Sequence, residues 1–119
     1  MSYDIYLIDP KTKKTIELPR HSIKGGTYAL GGTEEAWLNI TYNYSIHLCH
    51  AFAHDKGVRC IYGMTTEESI PVLKIAISRL GDDVHENYWE PTEGNAKEAL
   101  RGLLNLALLA PAGSVWKGD

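Results

Sequence analysis

The run Gly25-Gly26-Thr27-Tyr28-Ala29-Leu30-Gly31-Gly32-Thr33 continues through Glu34 and Glu35 into Ala36-Trp37-Leu38-Asn39-Ile40-Thr41-Tyr42-Asn43-Tyr44-Ser45, and its reading decides the fold. The two glycine pairs suit tight turns, whose backbone angles residues with a Cβ resist. The segment behind them alternates with the period of two that a strand imposes. Ala36, Leu38, Ile40 and Tyr42 fall on one face, and Trp37, Asn39, Thr41 and Asn43 on the other. Residues 35–42 therefore read as the strongest strand of the chain, ending where Ser45 opens a helix.

Upstream, residues 3–8 alternate as a strand buried largely on one face, and Asp9-Pro10-Lys11-Thr12 has turn chemistry. Residues 15–18 return as a second strand, which predicts a hairpin. Downstream the period changes. Residues 45–54 read as a helix with Leu48, Cys49, Phe52 and Ala53 as its apolar stripe, capped by Asn43 or Ser45 and ended near Gly57. Residues 58–62 read as a short extended return. Thr65 and Glu68 form a capping-box pattern that opens a helix through Leu80, with Ile70, Leu73, Ile77 and Leu80 facing inward. The final helix starts within residues 92–95 and runs to Ala110, with Ala96, Leu100, Leu103, Leu104 and Ala107 at helical spacing and Pro111 as its stop. Strands come first and helices last, so the expected class is α+β: a small antiparallel sheet from the N-terminal half packed on about three helices from the C-terminal half. No linker divides residues 1–119, which read as one domain.

The totals exclude several function classes. Hydrophobic residues at 44% with 23% charged residues rule against a disordered chain. The balance of 12 Lys plus Arg against 15 Asp plus Glu gives a net charge of −3, which disfavours direct nucleic-acid binding. No apolar run reaches the roughly 18 residues that a membrane span needs. Met1-Ser2-Tyr3-Asp4 lacks a basic and apolar leader pattern, so a cytoplasmic location is the expectation, with Cys49 and Cys60 as reduced, packed thiols.

Four constellations could carry chemistry. His47, His50 and His54, spaced by three and four, would share one helical edge within reach of a metal ion. No glutamate is interleaved as in a zincin helix, so a solvated histidine edge is the plainer reading and no metal or other cofactor is expected. Gly25, Gly26, Gly31 and Gly32 match neither a dinucleotide nor a P-loop pattern and read as turns. The polar row Asn39, Thr41 and Asn43 must be solvated, paired within the fold or occupied by a ligand. Together with the glycine turns it forms the alternative reading, a small-ligand or nucleotide-binding site. Residues 82–94 form a loop with five acidic residues, no Lys or Arg, and the pair Tyr88-Trp89. Aromatics concentrate at interface centres and an acidic rim attracts a basic partner. Asp82, Asp83, Glu86, Tyr88, Trp89 and Glu90 are therefore the candidate partner-binding residues. No nucleophile–base signature accompanies them, so no catalytic residue is expected and an enzyme is the weaker class.

Gly26-Thr27-Tyr28, the run from Ala36 to Tyr44, Glu68-Ser69-Ile70-Pro71-Val72-Leu73, Leu80-Gly81-Asp82-Asp83 and Tyr88-Trp89-Glu90-Pro91-Thr92-Glu93-Gly94-Asn95-Ala96-Lys97 resemble a group of small uncharacterised proteins of bacterial phages, prophages and mobile elements. The resemblance covers nearly the whole chain and implies a cytoplasmic accessory protein without an established reaction. Small phage accessory proteins are often inhibitors of host defence, anti-CRISPR proteins among them. The expected function is thus binding of another macromolecule, such as a basic host defence protein, for instance a CRISPR effector.

Overall fold

The structure, a computed structural model, describes residues 2–23 and 30–119, with backbone alone for residues 19–23 and 30–34. It is α+β. Strands β1 (Ser2–Ile8), β2 (Glu17–Ile23), β3 (Leu30–Glu35) and β4 (Trp37–Thr41) precede helices α1 (Ser45–Phe52), α2 (Thr66–Ser78) and α3 (Glu93–Leu109), and β5 (Val115–Gly118) follows. The main sheet is antiparallel in the order β4-β1-β5, while β2 and β3 form a separate two-stranded ribbon.

The apolar face of β4 is buried as its pattern dictates, but the polar face is not displayed, because Asn39 and Thr41 are buried too. Ala36, Leu38 and Ile40 are fully buried, and β4 pairs with β1 from Tyr6↔Trp37 to Ser2↔Thr41. The strand is shorter than expected because Ala36 separates β3 from β4. Its N–H donates to the Ile16 carbonyl (3.0 Å), and its own carbonyl accepts from Leu7 N–H (3.0 Å). With Ile16 N–H donating to the Leu7 carbonyl (2.9 Å), these three residues stitch the ribbon to the main sheet. The expected hairpin of residues 3–8 with 15–18 is reduced to one bridge, Ile8↔Thr15, after which β2 leaves to pair with β3.

Three further expectations are corrected. Residues 58–62 form no strand; Gly57–Ile61 is a 3-10 helix whose Val58 and Ile61 are fully buried. Helix α1 ends at Phe52 rather than near Gly57, because Ala53 adopts a left-handed conformation (φ 50°). Nor do Asn43 or Ser45 cap it: the corner is set by Thr41, whose side chain accepts Asn43 N–H ahead of the 3-10 turn Tyr42–Tyr44.

The remaining helices follow their local signals. Thr65 and Glu68 form the reciprocal capping box of α2, and Thr92 accepts Asn95 N–H at the start of α3. Leu73, Leu100, Leu103 and Leu106 are fully buried with Ile5, Leu7 and Leu48 in one core. Strand β5 closes it. Val115 to Gly118 pair with β1, and the fully buried Trp116 donates its indole N–H to Ser69 Oγ (2.7 Å), so its one polar atom is satisfied. No helix among the described residues is long and apolar enough to cross a membrane.

Candidate functional site

The loop between α2 and α3 carries no regular structure, yet between His85 and Pro91 most residues bond their backbone to the rest of the fold. The anchor is Asn95 in the first turn of α3, a buried amide whose Oδ1 accepts His85 N–H (3.0 Å). Its Nδ2 donates to the carbonyls of Asn87 (3.1 Å) and Glu90 (3.0 Å). One side chain thereby satisfies three backbone groups of a segment that lacks a ladder of its own. Gly94 lets the loop lie this close: a Cβ there would stand 2.5 Å from Val84 N and 2.6 Å from the Asp83 carbonyl carbon. Locally, His85 Nδ1 accepts Asn87 N–H (2.9 Å) and Asn87 Oδ1 accepts Trp89 N–H (3.1 Å).

The corner between β4 and α1 holds the loop from the other side. Tyr88 is partly buried, and its hydroxyl accepts Thr41 N–H at the end of β4 (3.0 Å). The hydroxyl of fully buried Tyr44 donates to the Tyr88 carbonyl, and the two rings pack edge to face with centroids 5.5 Å apart. Burial pushes the Tyr44 phenol far above its ordinary pKa, with Tyr88 and Glu98 adding to the shift. Asn43 Nδ2 donates to the Trp89 carbonyl (3.0 Å). His47 Nε2 lies 2.7 Å from the Pro91 carbonyl oxygen, which only accepts, so Nε2 carries the hydrogen.

Within this frame the pair Tyr88-Trp89 divides. Tyr88 turns inward, whereas Trp89 rests edge-on against it (centroids 5.4 Å apart) and leaves 48% of its surface exposed. Ile46, in the first turn of α1 next to His47 and three residues after Asn43, is 81% exposed. It lies opposite the Leu48/Phe52 stripe, a position that a helical projection of residues 45–52 would have flagged. Ile46, Gly94 and Asn95 were missed as site residues, since a glycine and an asparagine beside a helix start read as ordinary capping.

The carboxylates also divide. Asp82 pairs with Lys97 (2.8 Å), and the Lys97 hydrogen bond followed by its charge holds the Asp82 carboxyl below its usual range. Asp83 Oδ1 accepts Gly94 N–H (3.1 Å), and Glu93 Oε1 accepts Gly81 N–H (3.3 Å). Glu86 and Glu90 are exposed and make no side-chain hydrogen bond or ion pair among the described residues.

The other expected residues fall elsewhere or are engaged. Asn39 is buried, and its Nδ2 donates to Ser2 Oγ (2.7 Å) and Asp4 Oδ1 (2.8 Å), which commits both amide hydrogens inside the fold. Thr41 is buried and spends its hydroxyl oxygen on Asn43 N–H (3.2 Å). Gly25 and Gly26 lie outside the described residues, and Gly31 and Gly32 sit within β3 rather than in a turn. The histidine edge is broken, because His54 falls beyond the left-handed Ala53; its Nδ1 accepts Lys56 N–H (3.0 Å). Among the described residues no group of three or more His, Cys, Asp or Glu side chains could hold a metal ion. The fold thus joins one end of the polar row, one histidine and the acidic loop into a single surface.

No family model, curated protein or solved structure matches the chain.

Proposed function

We propose that the chain is a binding protein that captures another macromolecule on the surface formed by Trp89, Ile46 and the loop around them. The single observation that supports this reading is a large aromatic left half exposed on a loop whose backbone is bonded from two sides. Exposed tryptophan on an ordered segment suits a contact residue, since such side chains dominate interface energies and little entropy remains to be lost on docking. The resemblance to phage and mobile-element accessory proteins makes a bacterial host protein the proposed partner, with a defence component, a CRISPR effector for instance, as the class to try first.

The test is capture from a bacterial host lysate by the immobilised chain, compared with the Trp89→Ala/Glu90→Ala double variant. The reading expects specific capture by the parent chain and its loss in a variant that still unfolds in a cooperative thermal transition. Equal capture by both chains, or collapse of the variant's fold, would remove the reading.

A further inference from the structure

We infer that the segment docking on Trp89 is cationic: a short stretch of the partner protein that lays an arginine or lysine side chain against the indole, between Glu86 and Glu90. This inference rests on the binding role proposed above and adds the chemistry of the occupant. Its basis is the way the fold distributes charge around an apolar patch. Three of the loop's five carboxylates are spent internally, Asp82 on Lys97, Asp83 on Gly94 N–H and Glu93 on Gly81 N–H. The two without a partner among the described residues, Glu86 and Glu90, bracket Trp89 in the chain, and the loop contains no Lys or Arg.

Edge-on packing against Tyr88 covers part of the indole and leaves the rest open, and Ile46, which precedes the His47 that meets the Pro91 carbonyl, is exposed as well. A guanidinium or ammonium over an aromatic face is attracted by the ring's electron density, and adjacent carboxylates add charge complementarity. Its apolar stem would lie along Ile46.

Other occupants fit less well. A phosphate backbone would meet two unscreened carboxylates. A second copy docked about a twofold axis would bring Glu86 and Glu90 against their own duplicates at a net charge of −3.

The test is selection of a random dodecapeptide display library on the immobilised full chain, followed by affinity measurement of the enriched peptides. The expected result is enrichment in Arg and Lys. Affinity should fall at least tenfold in Trp89→Ala and severalfold in Glu86→Gln/Glu90→Gln, and should weaken as salt is raised. Peptides that need Trp89 but carry no excess of Arg or Lys, or that bind Glu86→Gln/Glu90→Gln unchanged, would overturn the inference and leave the binding role standing. Concentration-dependent dimerisation lost in Trp89→Ala would overturn it in favour of a second copy. Absence of any Trp89-dependent peptide would remove both.

Discussion

Asn43 Nδ2 donates to the Trp89 carbonyl across 3.0 Å, tying the corner between β4 and α1 to a loop 46 residues further along the chain. Beside it, Thr41 N–H donates to the Tyr88 hydroxyl, so consecutive loop residues hold the same turn of that corner. The sequence places these groups on a strand face and in an acidic loop that share no local pattern. Tertiary structure brings them together.

Asn95 is the residue on which the loop depends most. Asn95→Ala deletes the partners of His85 N–H and of the Asn87 and Glu90 carbonyls, and is expected to cost about 2–3 kcal/mol. Asn95→Asp should be no better, because it keeps an acceptor for His85 but turns a carboxylate oxygen toward two carbonyls. Urea denaturation measures both; an Asn95→Asp variant of parental stability would refute the amide's assigned orientation.

Gly94 has no room for a methyl group. Gly94→Ala must displace the Asp83–Val84 backbone, and overpacking of this kind costs about 1–3 kcal/mol. Gly113, whose substitution would meet nothing within 4 Å but which has φ +87°, offers a contrast in mechanism: strain there should be purely conformational. Amide exchange separates the two. Gly94→Ala should speed exchange of the loop amides of Val84 and His85, whereas Gly113→Ala should leave them unchanged.

Tyr88 and Trp89 should behave oppositely despite their adjacency. Tyr88→Phe removes the acceptor of Thr41 N–H and is expected to cost about 1 kcal/mol and to raise exchange at Thr41. Trp89→Ala should cost about 2 kcal/mol, since about half of the side chain is buried, but should leave the Thr41 amide protected. Raised exchange at Thr41 in Trp89→Ala, or a loss of about 3 kcal/mol or more, would mean that the indole belongs to the core.

Acid should weaken a second cluster, which meets the loop's anchoring corner at Tyr42. Arg59 reaches Asp119 (2.8 Å) and Tyr42 (3.0 Å), and stacks over the Tyr3 ring at 4.8 Å. Burial pushes the Asp119 carboxyl up, but hydrogen bonds from Arg59, Tyr62 and Tyr42 and the Arg59 charge together hold it below its ordinary value. A carboxylate depressed in the folded state contributes stability above its unfolded pKa and loses it as pH falls through the folded value. The contribution should therefore be complete above about pH 5 and fade below about pH 4. The pair is partly solvated, so roughly 0.2–1 kcal/mol is at stake. Denaturation midpoints across pH 3–7 should show a shallower acid decline for Asp119→Asn; an identical decline would place the acid sensitivity elsewhere.

Legibility followed sequence distance. The capping box of Thr65 and Glu68, the Thr92 cap and the buried face of Ala36, Leu38 and Ile40 rest on residues a few positions apart, so the sequence displays them. Strand β5 was invisible because four residues carry too short a period, and its place in the sheet comes from pairing with β1 at the other end of the chain. The partner of β2 was misread for the same reason: turn chemistry at Asp9 brings the chain back for one bridge, and Ala36 then decides where the ribbon goes. At the candidate site, the exposed aromatic and the acidic character of the loop were readable. The division of labour between Tyr88 and Trp89, and between engaged and solvent-facing carboxylates, depends on Thr41, Tyr44, Lys97 and Asn95, whose roles exist only once the chain is folded.

Hydrogen exchange of the chain alone and with a captured partner tests most directly where binding occurs. Slowed exchange confined to the loop amides around Trp89 and to the start of α1 beside Ile46 is the predicted footprint. Protection centred instead on the exposed Ile75 of α2 or Leu108 of α3, with the Trp89 segment unaffected, would contradict it.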